Sequence, residues 1–123
     1  MAKLLYSASD GHKLEAGVKE DVKKWLAAHN IYNIRDIKRA ETVNGFYYMP
    51  VQNGMGLTGV SDFIICYHGI MIALETKASN VKAKPTPDQK AFLDAIEKAG
   101  GFVLTTNSVE VLEAWFLKEF LQG

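Results

Sequence analysis

The segment from Asp62 to Lys77, DFIICYHGIMIALETK, constrains the fold more than any other part of the chain. Two runs of β-branched and apolar residues, 62–67 and 70–77, flank His68-Gly69. Such a pattern predicts an antiparallel hairpin buried on both faces. With the turn at His68-Gly69, Tyr67 faces Ile70, and counting back along both strands brings Asp62 opposite Glu75. Directly paired side chains have Cβ atoms about 4.5–5.5 Å apart. Side chains alternate along a strand, so Lys77 projects to the same side as Glu75 and Thr76 to the other. An apolar hairpin thus ends in two carboxylates and an ammonium.

Two carboxylates that close repel, and burial raises the cost. A lysine two residues on relieves part of it. A divalent cation relieves it fully: Mg²⁺ takes hard oxygen donors at about 2.0–2.1 Å and completes its octahedron with water. The hairpin therefore predicts a divalent-cation site on Asp62 and Glu75. A plainer reading, in which Lys77 neutralises both acids in a salt-bridge cluster, fits the same three residues.

Around the hairpin, the 123 residues suit one domain with a single core. Leu14, Val18, Val22, Trp25, Leu26 and His29 recur at helical spacing over 13–29, with Ser9 or Asp10 as N-cap. Asn44-Gly45, the strongest short hairpin signal, predicts strands near 34–42 and 46–51. Gly54, Gly56 and Gly59 mark a loop whose backbone can approach a phosphate. Thr86 followed by Pro87 predicts a capped helix, carrying Phe92, Leu93 and Ile96 and ended by Gly100-Gly101. FVLTT (102–106) reads as a strand, and Ser108 caps a last helix with Val111, Leu112, Trp115, Phe116 and Phe120 on its buried side. The order αββββαβα predicts an α/β fold, a mixed central sheet flanked by helices, with 102–106 parallel to a neighbour by the crossover rule.

Fourteen basic residues balance fourteen acidic ones, so any attraction to nucleic acid must come from local patches. The lone Cys66 allows no intramolecular disulfide and no zinc spacing, and its apolar setting predicts a buried small side chain. No secretory signal and no membrane-length apolar run is visible, which predicts a cytoplasmic protein without a membrane partner. His12, His29 and His68 pair with no nucleophile, and Ser61 has no visible histidine-aspartate partner, which sets serine-type hydrolysis aside.

Asp62, twelve residues, then Glu75-Thr76-Lys77 resembles the signature of the PD-(D/E)xK nucleases, with Ser61 at the variable proline position. The tight hairpin, Thr86-Pro87-Asp88-Gln89 opening a helix, and Ala99-Gly100-Gly101 before a strand resemble the VRR-NUC branch over nearly the whole chain. That resemblance implies a restriction-endonuclease-like core over 1–123 and a Mg²⁺- or Mn²⁺-dependent endodeoxyribonuclease without organic cofactor. It implies a helix carboxylate, for which Leu14-Glu15, Val18 and Val22 nominate Glu15, with Glu20 or Asp21 as fallback. It also implies the Thr76 carbonyl as a metal ligand and Gln89 as a residue that bonds the scissile phosphate or holds Lys77. The expected catalytic set is Glu15, Asp62, Glu75, Lys77 and Gln89, with Asp62, Glu75 and Glu15 on the metal. Lys82, Lys84 and Lys90 after the hairpin, and Arg35, Lys38 and Arg39 before it, are the expected DNA contacts; Lys19, Lys23 and Lys24 read as a solvated helix face. Stand-alone family members imply a homodimer resolving Holliday junctions in branched double-stranded DNA, and a phage gene acting in the host cytoplasm. Trp115, Phe116 and Phe120, or Phe46-Tyr47-Tyr48, are candidate interface aromatics, if they are not all core. A monomeric flap or nicking nuclease, and an inert DNA-binding module on the same fold, are the alternatives.

Overall fold

A computed structural model describes residues 13–51 and 56–121. The caps Ser9 and Asp10, His12 and Gly54 lie outside the described residues. The chain runs α1 (Glu15–Ala28), β1 (Ile31–Asn33), a 3-10 turn (Ile37–Arg39), β2 (Gly45–Tyr48), β3 (Phe63–Tyr67), β4 (Ile70–Thr76), α2 (Pro87–Lys98), β5 (Phe102–Thr106) and α3 (Val109–Phe116), followed by a π turn at Leu117–Leu121. The fold is mixed α/β. Its five strands form one sheet in the order β1-β2-β3-β4-β5.

The second hairpin folds as its pattern dictates. Phe63 pairs with Leu74 and Tyr67 with Ile70 in an antiparallel register. His68 at φ +47° and Gly69 at φ +82° make the turn, the two positive values that a two-residue hairpin loop demands. Burial is less complete than expected. Ile72 to Thr76 are all buried, but β3 alternates, so Ile64 and Cys66 are half-buried and Met71 opposite Cys66 is exposed. Cys66 is thus a half-covered thiol rather than a core side chain.

The first hairpin does not form. β1 and β2 are parallel, with Ile31 beside Gly45 and Asn33 beside Tyr47. Asn44-Gly45 is no turn, and the chain between the two strands crosses over through the 3-10 turn. Both residues answer to other partners. Asn44 Nδ2 donates to the His29 carbonyl at 2.8 Å, and Asn44 N donates to the Asn30 carbonyl at 2.9 Å, which together close the end of α1. Gly45 lies so close to β3 that a Cβ there would overlap the Cys66 carbonyl oxygen. Glycine is needed for close pairing, not for a left-handed turn.

Contacts group the chain into two compact units. The first comprises Met1–Trp25, Thr76–Lys84 and Thr105–Gly123. In it Val18, Val22, Leu112 and Phe116 are buried, and Trp25 meets Phe116 edge-on with centroids 4.9 Å apart. Phe120 packs on both Trp115 and Phe116 at 5.7 and 5.2 Å. These aromatics have partners inside the chain, Phe116 buried and Trp115 and Phe120 half-buried. Lys13 Nζ lies 2.7 Å from Asp21 Oδ2, and that hydrogen-bonded carboxylate holds the Lys13 ammonium above its ordinary pKa. The second unit comprises Leu26–Glu75 and Pro85–Leu104. Its core is Ile31, Tyr47, Phe63, Ile65, Ile72, Leu74 and Leu93, with the Tyr47 and Phe63 rings 5.5 Å apart. Of Phe46-Tyr47-Tyr48, only Tyr48 is exposed.

Candidate functional site

The site in the second unit starts from the end of the β3–β4 hairpin. Extending the Phe63–Leu74 pair by one position brings Asp62 level with Glu75. The structure shows this contact directly: Asp62 N donates to Glu75 Oε1 at 3.2 Å. Glu75 is only 2% exposed. A carboxylate that deep is costly unless donors surround it, and each charge-assisted bond returns about 1.5–3 kcal/mol. Asp62 itself is half-buried at the mouth of the hairpin. Ser61 beside it is buried, and its Oγ donates to the Phe63 carbonyl at 3.1 Å, which fixes the approach of the chain to β3.

Gln89 supplies a second donor to Glu75. Its Nε2 lies 2.7 Å from Glu75 Oε2. The amide's other end, Oε1, accepts from Thr86 N at 2.9 Å, while Thr86 Oγ1 accepts from Gln89 N at 3.3 Å. This is a full capping box at the start of α2, with Pro87 at the first helical position. The structure thus ties Gln89 to Glu75 as well as to Thr86. Gly59 presses on the same helical turn. It sits at φ +79°, and a Cβ there would overlap the Asp88 carbonyl oxygen and stand 2.8 Å from Gln89 N. The close approach that glycine permits at this position is to α2, whereas a Cβ on Gly56 would meet nothing.

The other expected site residues stand as follows. Lys77 belongs to the first unit, one residue past β4; it is half-buried, and its backbone N–H donates to the Thr106 carbonyl at 2.9 Å. Glu15, also in the first unit, opens α1, and its Oε2 is 3.2 Å from Lys19 Nζ. Glu20 is exposed and paired with Lys23 at 2.8 Å, and Asp21 is the partner of Lys13. Among the described residues no three His, Cys, Asp or Glu side chains gather as a metal-binding group. Lys82, Lys84, Lys90, Arg35, Lys38 and Arg39 are all exposed. Lys90 pairs with Asp94 at 3.0 Å, and Arg39 shares a shallow surface depression with Asp36 and Glu41, so both carry acidic neighbours.

The donor chemistry fits a hard divalent cation. A carboxylate offers about four lone-pair positions, and the bonds from Asp62 N and Gln89 Nε2 occupy one on each oxygen of Glu75. A cation placed between Glu75 and Asp62 would meet carboxylate oxygens, the hard donors that Mg²⁺ or Mn²⁺ takes. Thr86 bonds Gln89 and Gly59 packs against its backbone; in the sequence Thr86 reads only as a helix cap and Gly59 as a loop glycine approaching a phosphate. The capping signature Thr-x-x-Gln is the signal that points to one of them.

No family model, curated protein or solved structure matches the chain. No helix among the described residues is long and apolar enough to cross a membrane.

Proposed function

We propose that the chain is a metal-dependent nuclease with a PD-(D/E)xK core, an endodeoxyribonuclease acting on branched double-stranded DNA as a homodimer. One observation carries the reading: a buried Glu75 carboxylate faces Asp62 across the hairpin and is braced from α2 by Gln89.

Asp62 and Glu75 would hold Mg²⁺ or Mn²⁺, with the Thr76 carbonyl and Glu15 entering on the family resemblance alone. When bound, the ion supplies positive charge at a phosphate oxygen and lowers the pKa of a water. Gln89 holds Glu75 in one orientation. Lys77 enters by its chain position, two residues after Glu75. Its ammonium donates a hydrogen bond that orients the attacking water, and it offsets the charge that develops on the phosphate. The resemblance implies a 5′-phosphate and a 3′-hydroxyl as products. Lys82 and Lys84 follow the hairpin closely in the chain and are the leading phosphate contacts, since each neutralised phosphate strengthens binding without reading sequence. Two cuts on opposed strands require two sites, which is the reason for a twofold dimer.

A second reading has its own support. The bonds from Asp62 N and Gln89 to Glu75 would also serve as a latch that ties the hairpin end to α2 in an inert DNA-binding module. Labelled four-way junctions, flaps and linear duplexes incubated with wild type and Lys77→Ala separate these readings. The nuclease reading predicts symmetric paired nicks across the junction in Mg²⁺ or Mn²⁺, none in EDTA, and a loss of about 10²-fold or more in Lys77→Ala. Cutting of flaps alone would overturn the junction assignment. Folded protein that cuts no DNA with either ion would leave the latch.

A further inference from the structure

The side chain of Gln89 serves two elements at once. Oε1 closes the capping box on Thr86 N, and Nε2 donates to the Glu75 carboxylate. An amide group is planar, so an anchored Oε1 fixes the direction in which Nε2 points. The anchor depends on the first turn of α2 keeping its shape. Thr86 Oγ1 holds that turn by accepting from Gln89 N, and Gly59 packs against its backbone. Three side-chain torsions of a long residue are thereby tied down from the helix end before the residue reaches β4.

We propose that the α2 capping box sets the orientation of Glu75, which makes Thr86 a positioning residue acting through Gln89. As a statement about a cation site, this rests on the nuclease reading above. Loss of the Thr86 hydroxyl frees the first-turn N–H and lets the turn fray. Gln89 then samples other rotamers, and Glu75 Oε2 loses its short donor while Oε1 keeps the bond from Asp62 N. The carboxylate is then less firmly held on its α2 side. Residues that orient a metal ligand commonly change affinity by 10–100-fold, so a residue one step further out acts more weakly.

Two readouts test this, one without any metal. In metal-free, ¹⁵N-labelled protein the Gln89 side-chain NH₂ pair is identified by its disappearance in Gln89→Met. Wild type holds it away from the position of a free amide, Thr86→Ala shifts it toward that position, and Thr86→Ser, which keeps the hydroxyl, restores it. In Mn²⁺ calorimetry, Thr86→Ala weakens binding by up to about tenfold, Thr86→Ser recovers it, and Thr86→Ala adds nothing in a Gln89→Met background. A Thr86→Ala protein that melts earlier but keeps the Gln89 resonance and the Mn²⁺ affinity overturns the proposal. So does a further loss of Mn²⁺ affinity on adding Thr86→Ala to Gln89→Met. If wild type takes up no Mn²⁺ while the Gln89 resonance still follows Thr86, the cation reading falls and the coupling stands.

Discussion

Glu75 illustrates how one residue can be legible in identity and illegible in setting. Its place opposite Asp62 follows from strand alternation and the position of a turn, both written in the local sequence. Its contact with Gln89 is not, because that depends on how α2 returns to the hairpin, which no local pattern encodes. Gly59 teaches the same lesson from the other side. A glycine in a glycine-rich stretch reads as freedom, yet here it is a close contact with the backbone of Asp88 and Gln89. Gly59→Ala carries both a left-handed backbone penalty of about 1–2 kcal/mol and an overlap with main-chain atoms that cannot rotate away. We expect a loss of at least about 2 kcal/mol in urea unfolding. A change within experimental error would show that α2 does not rest on this glycine.

The elements divide by where their determinants lie. The helix starts at Thr86 and Ser108 are set by neighbours in sequence, and both caps form: Thr86 Oγ1 accepts from Gln89 N, and Ser108 Oγ accepts from Val111 N. Asn44-Gly45 went the other way, because partners distant in sequence outcompeted the turn. Asn44 caps the end of α1, and Gly45 allows β2 to lie close against β3. The left-handed pair that the Asn-Gly signal stands for occurs at His68-Gly69 instead. Two substitutions check this reversal. Gly45→Ala places a methyl against the Cys66 carbonyl and is expected to cost about 3 kcal/mol, since the backbone there cannot give way. His68→Asn puts the preferred residue at the actual turn and is expected to add about 0.5 kcal/mol. Chemical denaturation of both variants reads the signs. A tolerated Gly45→Ala together with a damaging His68→Asn would contradict the strand pairing.

For the whole molecule, zero net charge makes any DNA affinity a matter of placement. Of the cations nominated from sequence, Lys90 is already paired with Asp94, and Arg39 stands among acids, while Lys82 and Lys84 are exposed on the segment after the hairpin. Alanine at Lys82 or Lys84 is therefore expected to weaken junction binding. It should also lower the slope of log affinity against log salt by about one for each phosphate that is no longer neutralised. Lys90→Ala should change that slope less, and slopes for Lys82→Ala and Lys84→Ala equal to that of wild type would remove the loop lysines from the interface. A cation shared by Asp62 and Glu75 is the centre of the proposed chemistry. Its most direct measurement is a Mn²⁺ titration by calorimetry of wild type, Asp62→Asn, Glu75→Gln and the double variant. Saturable binding in wild type, weakened about tenfold or more by either change and hardly further by both, is the predicted result, because two ligands of one ion are not independent. Binding that is absent from folded wild type, or untouched by the loss of both carboxylates, would contradict it.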